Sequence, residues 1–188
     1  MITVAILAGG KSSRFKKDKL IQPFRGRFLI ENIICNVPDS FEVLVISKNH
    51  QKFMYLKRAK LIVESFDDFS PMFGIYTGLK YARYNKVMFI PGDCPLIKKE
   101  FLVQFAQVPS PAVLVSNGRT HSLHCILSKA NIFTIRDFIE NKNFKLRDLH
   151  LSLGSLPYKF EWLKHYDYNE NCLLNINHAE EYYDAIYR

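Results

Sequence analysis

No stretch of this 188-residue chain approaches the ~20 apolar residues that a membrane-spanning helix needs, so no membrane association is expected. The N-terminal apolar run, Thr3-Val4-Ala5-Ile6-Leu7, is too short for an export signal and empties at once into Ala8-Gly9-Gly10. Cysteine is scarce. Cys35, Cys94, Cys125 and Cys172 are scattered and make no Cys-x-x-Cys pair. That spacing argues against a disulfide framework or a zinc site and favours a reduced, cytoplasmic setting. Acidic residues number 18 against 26 Lys and Arg, a net charge of +8, which favours an anionic partner. No basic run interleaves with aromatics and no nucleic-acid module signature is present, so phosphorylated small molecules are expected rather than nucleic acid. Glycine is missing where the common nucleotide loops need it. After Gly10 none occurs until Gly26, which excludes the Walker loop and the three-glycine dinucleotide fingerprint.

What remains is an anion site of another kind. Thr3–Leu7 reads as a short buried strand that runs into Ala8-Gly9-Gly10-Lys11-Ser12-Ser13-Arg14, with Lys16-Lys17-Asp18-Lys19 close behind. A strand that ends in glycines, hydroxyls and cations presents backbone N–H groups and positive charge to a phosphate. The glycines let the backbone approach without an intervening Cβ.

Apolar strand-like runs alternate with amphipathic ones along one expected domain, residues 1–188. This is the pattern of an α/β fold, a Rossmann-like three-layer α/β/α sandwich with a mainly parallel mixed sheet. Strands are expected over Thr3–Leu7, Glu42–Ser47, Lys60–Val63, Lys86–Ile90, Ala112–Asn117, Leu123–Leu127 and Tyr158–Leu163. Helices are expected over Leu29–Asn36, Gln51–Lys57, Pro71–Tyr84, Lys98–Gln107, Lys129–Glu140, Lys145–Leu151 and Ala179–Tyr187. The third helix is the best marked: Ser70 suits the N-cap, Pro71 the first helical position, and Ile75, Leu79 and Ala82 one apolar face. Ligands of such sheets bind outside the carboxyl ends of the strands. Gly10, Ser47, Glu64 and Asp93 all fall at or just beyond those ends.

Asp93 follows the apolar run Val87-Met88-Phe89-Ile90 and precedes Cys94-Pro95. A carboxylate there suits Mg²⁺, which takes oxygen ligands from one or two carboxylates plus substrate phosphates; the plainer reading is a Gly-Asp turn. His121-x-x-His124 lacks a nearby third ligand and is read as straddling a turn and a strand, in a second-substrate surface or in packing. Lys145 and Arg147 are candidate phosphate contacts for that second substrate.

Four segments, in order, resemble the molybdenum cofactor guanylyltransferases and their nucleotidyltransferase relatives. Leu7-Ala8-Gly9-Gly10-Lys11-Ser12-Ser13-Arg14 with Asp18-Lys19 is similar to that family's Leu-Ala-Gly-Gly-x-Ser-x-Arg-Met-Gly-x-Asp-Lys. Ser70-Pro71-Met72-Phe73-Gly74 resembles its Gly-Pro-Leu-x-Gly helix opening. Pro91-Gly92-Asp93-Cys94-Pro95 resembles its Gly-Asp-x-Pro strand exit, and Asn175-Ile176-Asn177-His178-Ala179-Glu180-Glu181 its closing segment. Phe15-Lys16 stand where the family has Met-Gly, and Ser70 where it has Gly.

The resemblance implies a transfer of GMP from GTP to the terminal phosphate of molybdopterin. It implies triphosphate contacts from Lys19 and Arg14, Mg²⁺ on Asp93, and a nucleotide site made by Leu7, Ala8, Gly9 and Gly10. Ser47 and Glu64 would then lie by the guanine or ribose, and a molybdoenzyme or cofactor-insertion protein would receive the product. The rivals are a cytidylyl- or sugar/alcohol-phosphate nucleotidyltransferase, and a non-catalytic nucleotide- or cofactor-binding protein.

Overall fold

The computed structural model describes residues 1–9, 18–49, 51–159, 161, 171–176 and 179–187. Its centre is β1 (Thr3–Leu7), a strand apolar on both faces. Val4 and Ile6 point to one side and Ala5 to the other, each fully buried. Such continuous apolarity marks a strand covered by helices above and below. On its two edges β1 pairs in parallel with β4 (Glu42–Ser47) and β6 (Lys86–Pro91). β5 (Lys60–Val63) continues the parallel half beside β4.

Beyond β6 the sheet changes character. β8 (Arg119–Ser128) runs antiparallel to both β6 and β7 (Ala112–Ser116), and β9 (Leu156–Lys159) closes the edge parallel to β7. The order is β5-β4-β1-β6-β8-β7-β9.

The helical layers follow the strand alternation. On the Val4/Ile6 face lie α1 (Leu29–Asn36), α3 (Lys99–Phe105) and α6 (Ala179–Tyr187), which bury Leu29, Ile30, Ile33, Phe101, Leu102, Phe105 and Ala185. On the Ala5 face lie α2 (Pro71–Tyr81), α4 (Ile132–Glu140) and α5 (Leu146–Ser152), with Met72, Ile75, Leu79, Ile135 and Leu149 buried. The three-layer mixed sheet is therefore the expected one. Among the described residues no helix is long and apolar enough to cross a membrane. None of the four cysteines is in a disulfide.

Most boundaries match the sequence reading within a residue or two, and α2 begins as expected, with the Ser70 hydroxyl accepting from Met72 N–H at 3.2 Å and Pro71 in its first turn. It stops at Tyr81, short of Tyr84, because Ala82 turns extended. The helix expected over Gln51–Lys57 is only a 3-10 turn, Gln51–Phe53. Lys129–Asn131 is likewise a 3-10 turn ahead of α4. The last strand begins earlier, at Leu156, and the remainder of the expected Tyr158–Leu163 run falls largely outside the described residues.

Two features went unread. β2 (Pro23–Phe24) and β3 (Arg27–Phe28) form a hairpin whose turn residues Arg25 and Gly26 both have positive φ, 50° and 78°. That is the geometry of a type I′ turn, for which glycine is suited. The second is an irregularity in β8. Val113 pairs with Cys125 but Leu114 pairs with His121, so Ser122, Leu123 and His124 bulge out of the β7 register.

Candidate active site

The parallel strands all end on one edge, and the chain leaving each of them is tied to its neighbour. Ala8 N–H donates to Ile46 O at 2.8 Å, Gly92 N–H to Leu7 O at 2.9 Å, and Glu64 N–H to Ser47 O at 3.1 Å. The first residues past β1, β5 and β6 are thereby tied to the ends of β4 and β1 beside them. Gly92 is required at its position: a Cβ there would sit 2.9 Å from the Leu7 backbone oxygen, which has no freedom to move away.

One cluster forms past β1 and β6. The Lys19 ammonium donates to Asp93 Oδ2 and to Ile176 O, both at 2.7 Å. The two side chains are 14% and 18% exposed, shielded enough for the pair to hold its geometry yet open to a ligand. Asp18 explains how Lys19 gets there. Its carboxylate caps the 3-10 turn Lys19–Ile21 by accepting from Leu20 N–H at 3.1 Å, and it pairs with the Lys52 ammonium. From the other side, Asp93 O accepts from Ile176 N–H at 2.9 Å, and the buried Cys94 thiol donates to Asn175 Oδ1 at 2.7 Å. The closing segment 175–176 thus clamps the strand exit that carries Asp93. Burial pushes the Cys94 thiol well up, so it acts as a neutral donor.

A second cluster forms past β4 and β5. Ser47 is buried, and its hydroxyl engages the Asn49 backbone, accepting from N–H at 3.2 Å and donating to the carbonyl at 3.1 Å. Glu64 has a side chain only 5% exposed, with the Lys48 ammonium 3.2 Å from Oε1. Burial raises its carboxyl above the ordinary range, and Lys48 works against that rise. An ideal Cβ on Gly9 would lie 3.3 Å from Glu64 Oε2, so the glycine loop and this carboxylate are in contact. Leu7 and the first turn of α2 complete the group, with Leu7 Cδ2 2.9 Å from where a Gly74 Cβ would be.

Lys48 was missed in the sequence. It also donates to Asp68 O at 2.6 Å and to Phe66 O, and it lies 4.5 Å from the centre of the Phe69 ring. The available signal was its position directly after an apolar strand, one strand away from a buried acid.

Gly10 and Arg14 lie outside the described residues, as do Lys11 and the Phe15-Lys16 departure. Leu7, Ala8, Gly9, Lys19, Ser47, Glu64 and Asp93 are all gathered at the one edge. His121 and His124 both belong to β8, His121 just before its bulge and His124 within it, rather than straddling a turn and a strand. His124 is 2% exposed against Phe101, its Nε2 has no hydrogen-bond partner among the described residues, and burial pushes it down to about 3. The bulge is pinned by His150, whose Nε2–H donates to Ser122 O at 2.9 Å while Nδ1 faces Ser155 Oγ at 3.0 Å. Lys145 and Arg147 stand at the opening of α5, which packs on β8.

The donor set at Asp93 suits Mg²⁺, which keeps several waters and binds through one or two carboxylates together with substrate phosphates. Among the described residues no three His, Cys, Asp or Glu side chains gather as a metal cage.

A mainly parallel sheet, a glycine at the exit of its central strand, and a Lys–Asp pair across the β1 and β6 exits fit a nucleotidyltransferase of the α/β class. The chain belongs to the MobA-like NTP transferase domain family, whose model matches residues 4–152. A "probable molybdenum cofactor guanylyltransferase" from Flavobacterium johnsoniae is 30% identical over 97% of this chain and 95% of its own length. A protein of the same name from Aquifex aeolicus is 29% identical over 95% of this chain and 87% of its own. In fold, the chain is similar to the crystal structure of molybdopterin-guanine dinucleotide biosynthesis protein A from Archaeoglobus fulgidus. The TM-score is 0.83 at 19% identity, covering 98% of this chain and 97% of that one.

Proposed function

We propose that this protein transfers GMP from GTP to the terminal phosphate of molybdopterin, releasing pyrophosphate. The observation that carries the reaction is the Lys19–Asp93 pair, two residues 74 positions apart held at 2.7 Å on the strand edge. The names of the full-length relatives support guanine and the molybdopterin acceptor.

An acceptor phosphate oxygen attacks the α-phosphorus of GTP, the bond from that phosphorus to the bridging oxygen breaks, and pyrophosphate departs. The attacking phosphate is already largely anionic near neutral pH, so no side chain has to remove a proton. The chain's task is alignment and charge neutralisation. Lys19 and Arg14 neutralise the triphosphate. Leu7, Ala8, Gly9 and Gly10 bring backbone close to the nucleotide, with Ser47 and Glu64 at its base or ribose. Asp93 would hold Mg²⁺, and the bound ion would supply Lewis-acid stabilisation of the charge that builds on the phosphates. The Asn175–Ile176 clamp keeps Asp93 in register. The product would pass to a molybdoenzyme or cofactor-insertion protein in the cytoplasm.

The test is a titration of the protein with GTP, CTP, UTP and ATP in Mg²⁺, followed by a transfer assay with molybdopterin. Selective GTP binding and pyrophosphate release only with acceptor present are the expected results. A preference for CTP would keep the chemistry and change the product. Binding without pyrophosphate release would leave a non-catalytic binding protein.

A further inference from the structure

Glu64 poses a problem that the reaction itself does not explain. It is a nearly fully buried carboxylate at the mouth of the nucleotide loop, against Gly9, and its one ion-pair partner among the described residues is Lys48. Among the described residues, the other groups seen against it carry no charge: Gly9 from the exit of β1 and Gly74 from α2. Asp68, on its own loop, meets Lys48 through its backbone carbonyl. Lys48 is in turn held by the Phe66 and Asp68 carbonyls and by the Phe69 ring, so its ammonium is fixed where Glu64 needs it.

We infer that Lys48 sets the base selectivity of this site, by holding Glu64 as a charged carboxylate that offers the nucleobase two acceptors and no donor. The inference rests on the guanylyltransferase reading and adds to it a residue and a means of discrimination. An ionised carboxylate only accepts hydrogen bonds, whereas the protonated acid pairs one O–H donor with one acceptor. Guanine presents two neighbouring donors on its pairing edge, N1–H and the 2-amino group, and so matches the ionised form. Adenine and cytosine present an amino donor beside a ring-nitrogen acceptor, and so match the protonated form. The charge on Glu64 therefore decides which base the site accepts, and a buried acid keeps its charge only through a partner. Lys48 is a positioning residue here, acting on the nucleotide through Glu64.

The experiment measures the dissociation constants of GTP, ITP and ATP from pH 6 to 9, for wild type, Lys48→Met, Lys48→Arg and Glu64→Gln, with thermal melts as a control on folding. Wild type should prefer GTP across the whole range. ITP keeps N1–H and lacks the 2-amino group, so it should bind between GTP and ATP. Lys48→Met should narrow the GTP-to-ATP ratio by about tenfold at low pH and regain it as the pH rises and Glu64 ionises. Lys48→Arg should keep the wild-type ratio. Glu64→Gln, which carries one donor and one acceptor at every pH, should lose the preference without any pH dependence. That variant decides the matter even where Lys48→Met fails to fold. If Lys48→Met weakens all three nucleotides equally with no pH dependence, or if Glu64→Gln keeps the GTP preference, the inference is overturned. If wild type itself does not prefer GTP, it is the guanylyltransferase reading that falls.

Discussion

The two halves of the sheet are built by different rules. Around β5, β4, β1 and β6 every pairing is parallel and in unbroken register, Leu7 facing Ile46 on one side and Pro91 on the other. Each strand is short and apolar, and its chemistry sits in the one or two residues past its end. Past β6 the pairing turns antiparallel, β8 carries polar residues inside its length, and a three-residue bulge is pinned by a buried histidine. The regular half works like a rack that holds Gly9, Ser47, Glu64 and Asp93 level. The irregular half lies beyond β6, its bulge directly preceding Cys125, which pairs with Phe89. Regularity aligns the strand exits and their charged groups; irregularity buries polar side chains such as His124 and His150.

The sharpest way to break this picture is at the boundary strand. Asp93→Asn keeps the shape of the side chain and removes its charge, so transfer should fall by about 10³-fold while the thermal midpoint stays close to wild type. Wild-type turnover at saturating Mg²⁺ would remove Asp93 from any metal role. One residue earlier, Gly92→Ala pushes a Cβ against the Leu7 carbonyl, where only backbone can yield. Denaturant melts should record a loss of about 1–3 kcal/mol, and turnover should drop as Asp93 is displaced.

The closing segment gives a milder test. Asn175→Ala deprives the Cys94 thiol of its acceptor, at a cost of about 1 kcal/mol. It should lower kcat by roughly tenfold with little change in GTP affinity, because the clamp positions Asp93 without touching the base. An equal effect on affinity would mean that the segment belongs to the nucleotide site itself.

The same contrast governs what could be read from the chain. The limits of β1, β4, β5 and α1 coincide with the sequence reading, because continuous apolar runs and sharp polar exits leave little choice. Lys19 and Asp93 came from motifs at such exits. The β2–β3 hairpin escaped because two-residue strands are too short to show any period. The helix expected over Gln51–Lys57 does not form because Phe53 and Leu56 reach the core from a 3-10 turn and an irregular stretch. β8 was read at half its length since Arg119, Thr120 and Ser122 break the apolar pattern that a longer strand would show. Lys48 was invisible for another reason. Its partners, Glu64 and the carbonyls of Phe66 and Asp68, meet it only once β4 and β5 are side by side.

The smallest effect should come from the irregular half, and it is legible mainly against pH. His124 is neutral when folded, with its affinity for a proton pushed down to about 3 by burial and by the neighbouring His121. In the unfolded chain a histidine titrates near 6.5. Between those values the unfolded chain binds a proton that the folded one refuses. Stability from this group is therefore intact above pH ~6.5 and declines as the pH falls toward 3, by up to about 1.4 kcal/mol per unit. His150 pulls in the same direction, since burial lowers it too. Replacing His124 by Phe removes the proton site and also the buried Nε2 that has no partner among the described residues, while keeping a ring against Phe101. At pH 7.5 stability should change by no more than about 1 kcal/mol, the polar atom's removal offsetting the imperfect fit of the new ring. Below pH 6 the variant should lose stability with a visibly shallower slope than wild type in urea melts, and GTP affinity should stay within about twofold. Parallel slopes would mean that His124 takes up its proton without unfolding the protein. The bulge would then admit solvent around a side chain that is 2% exposed in the folded chain.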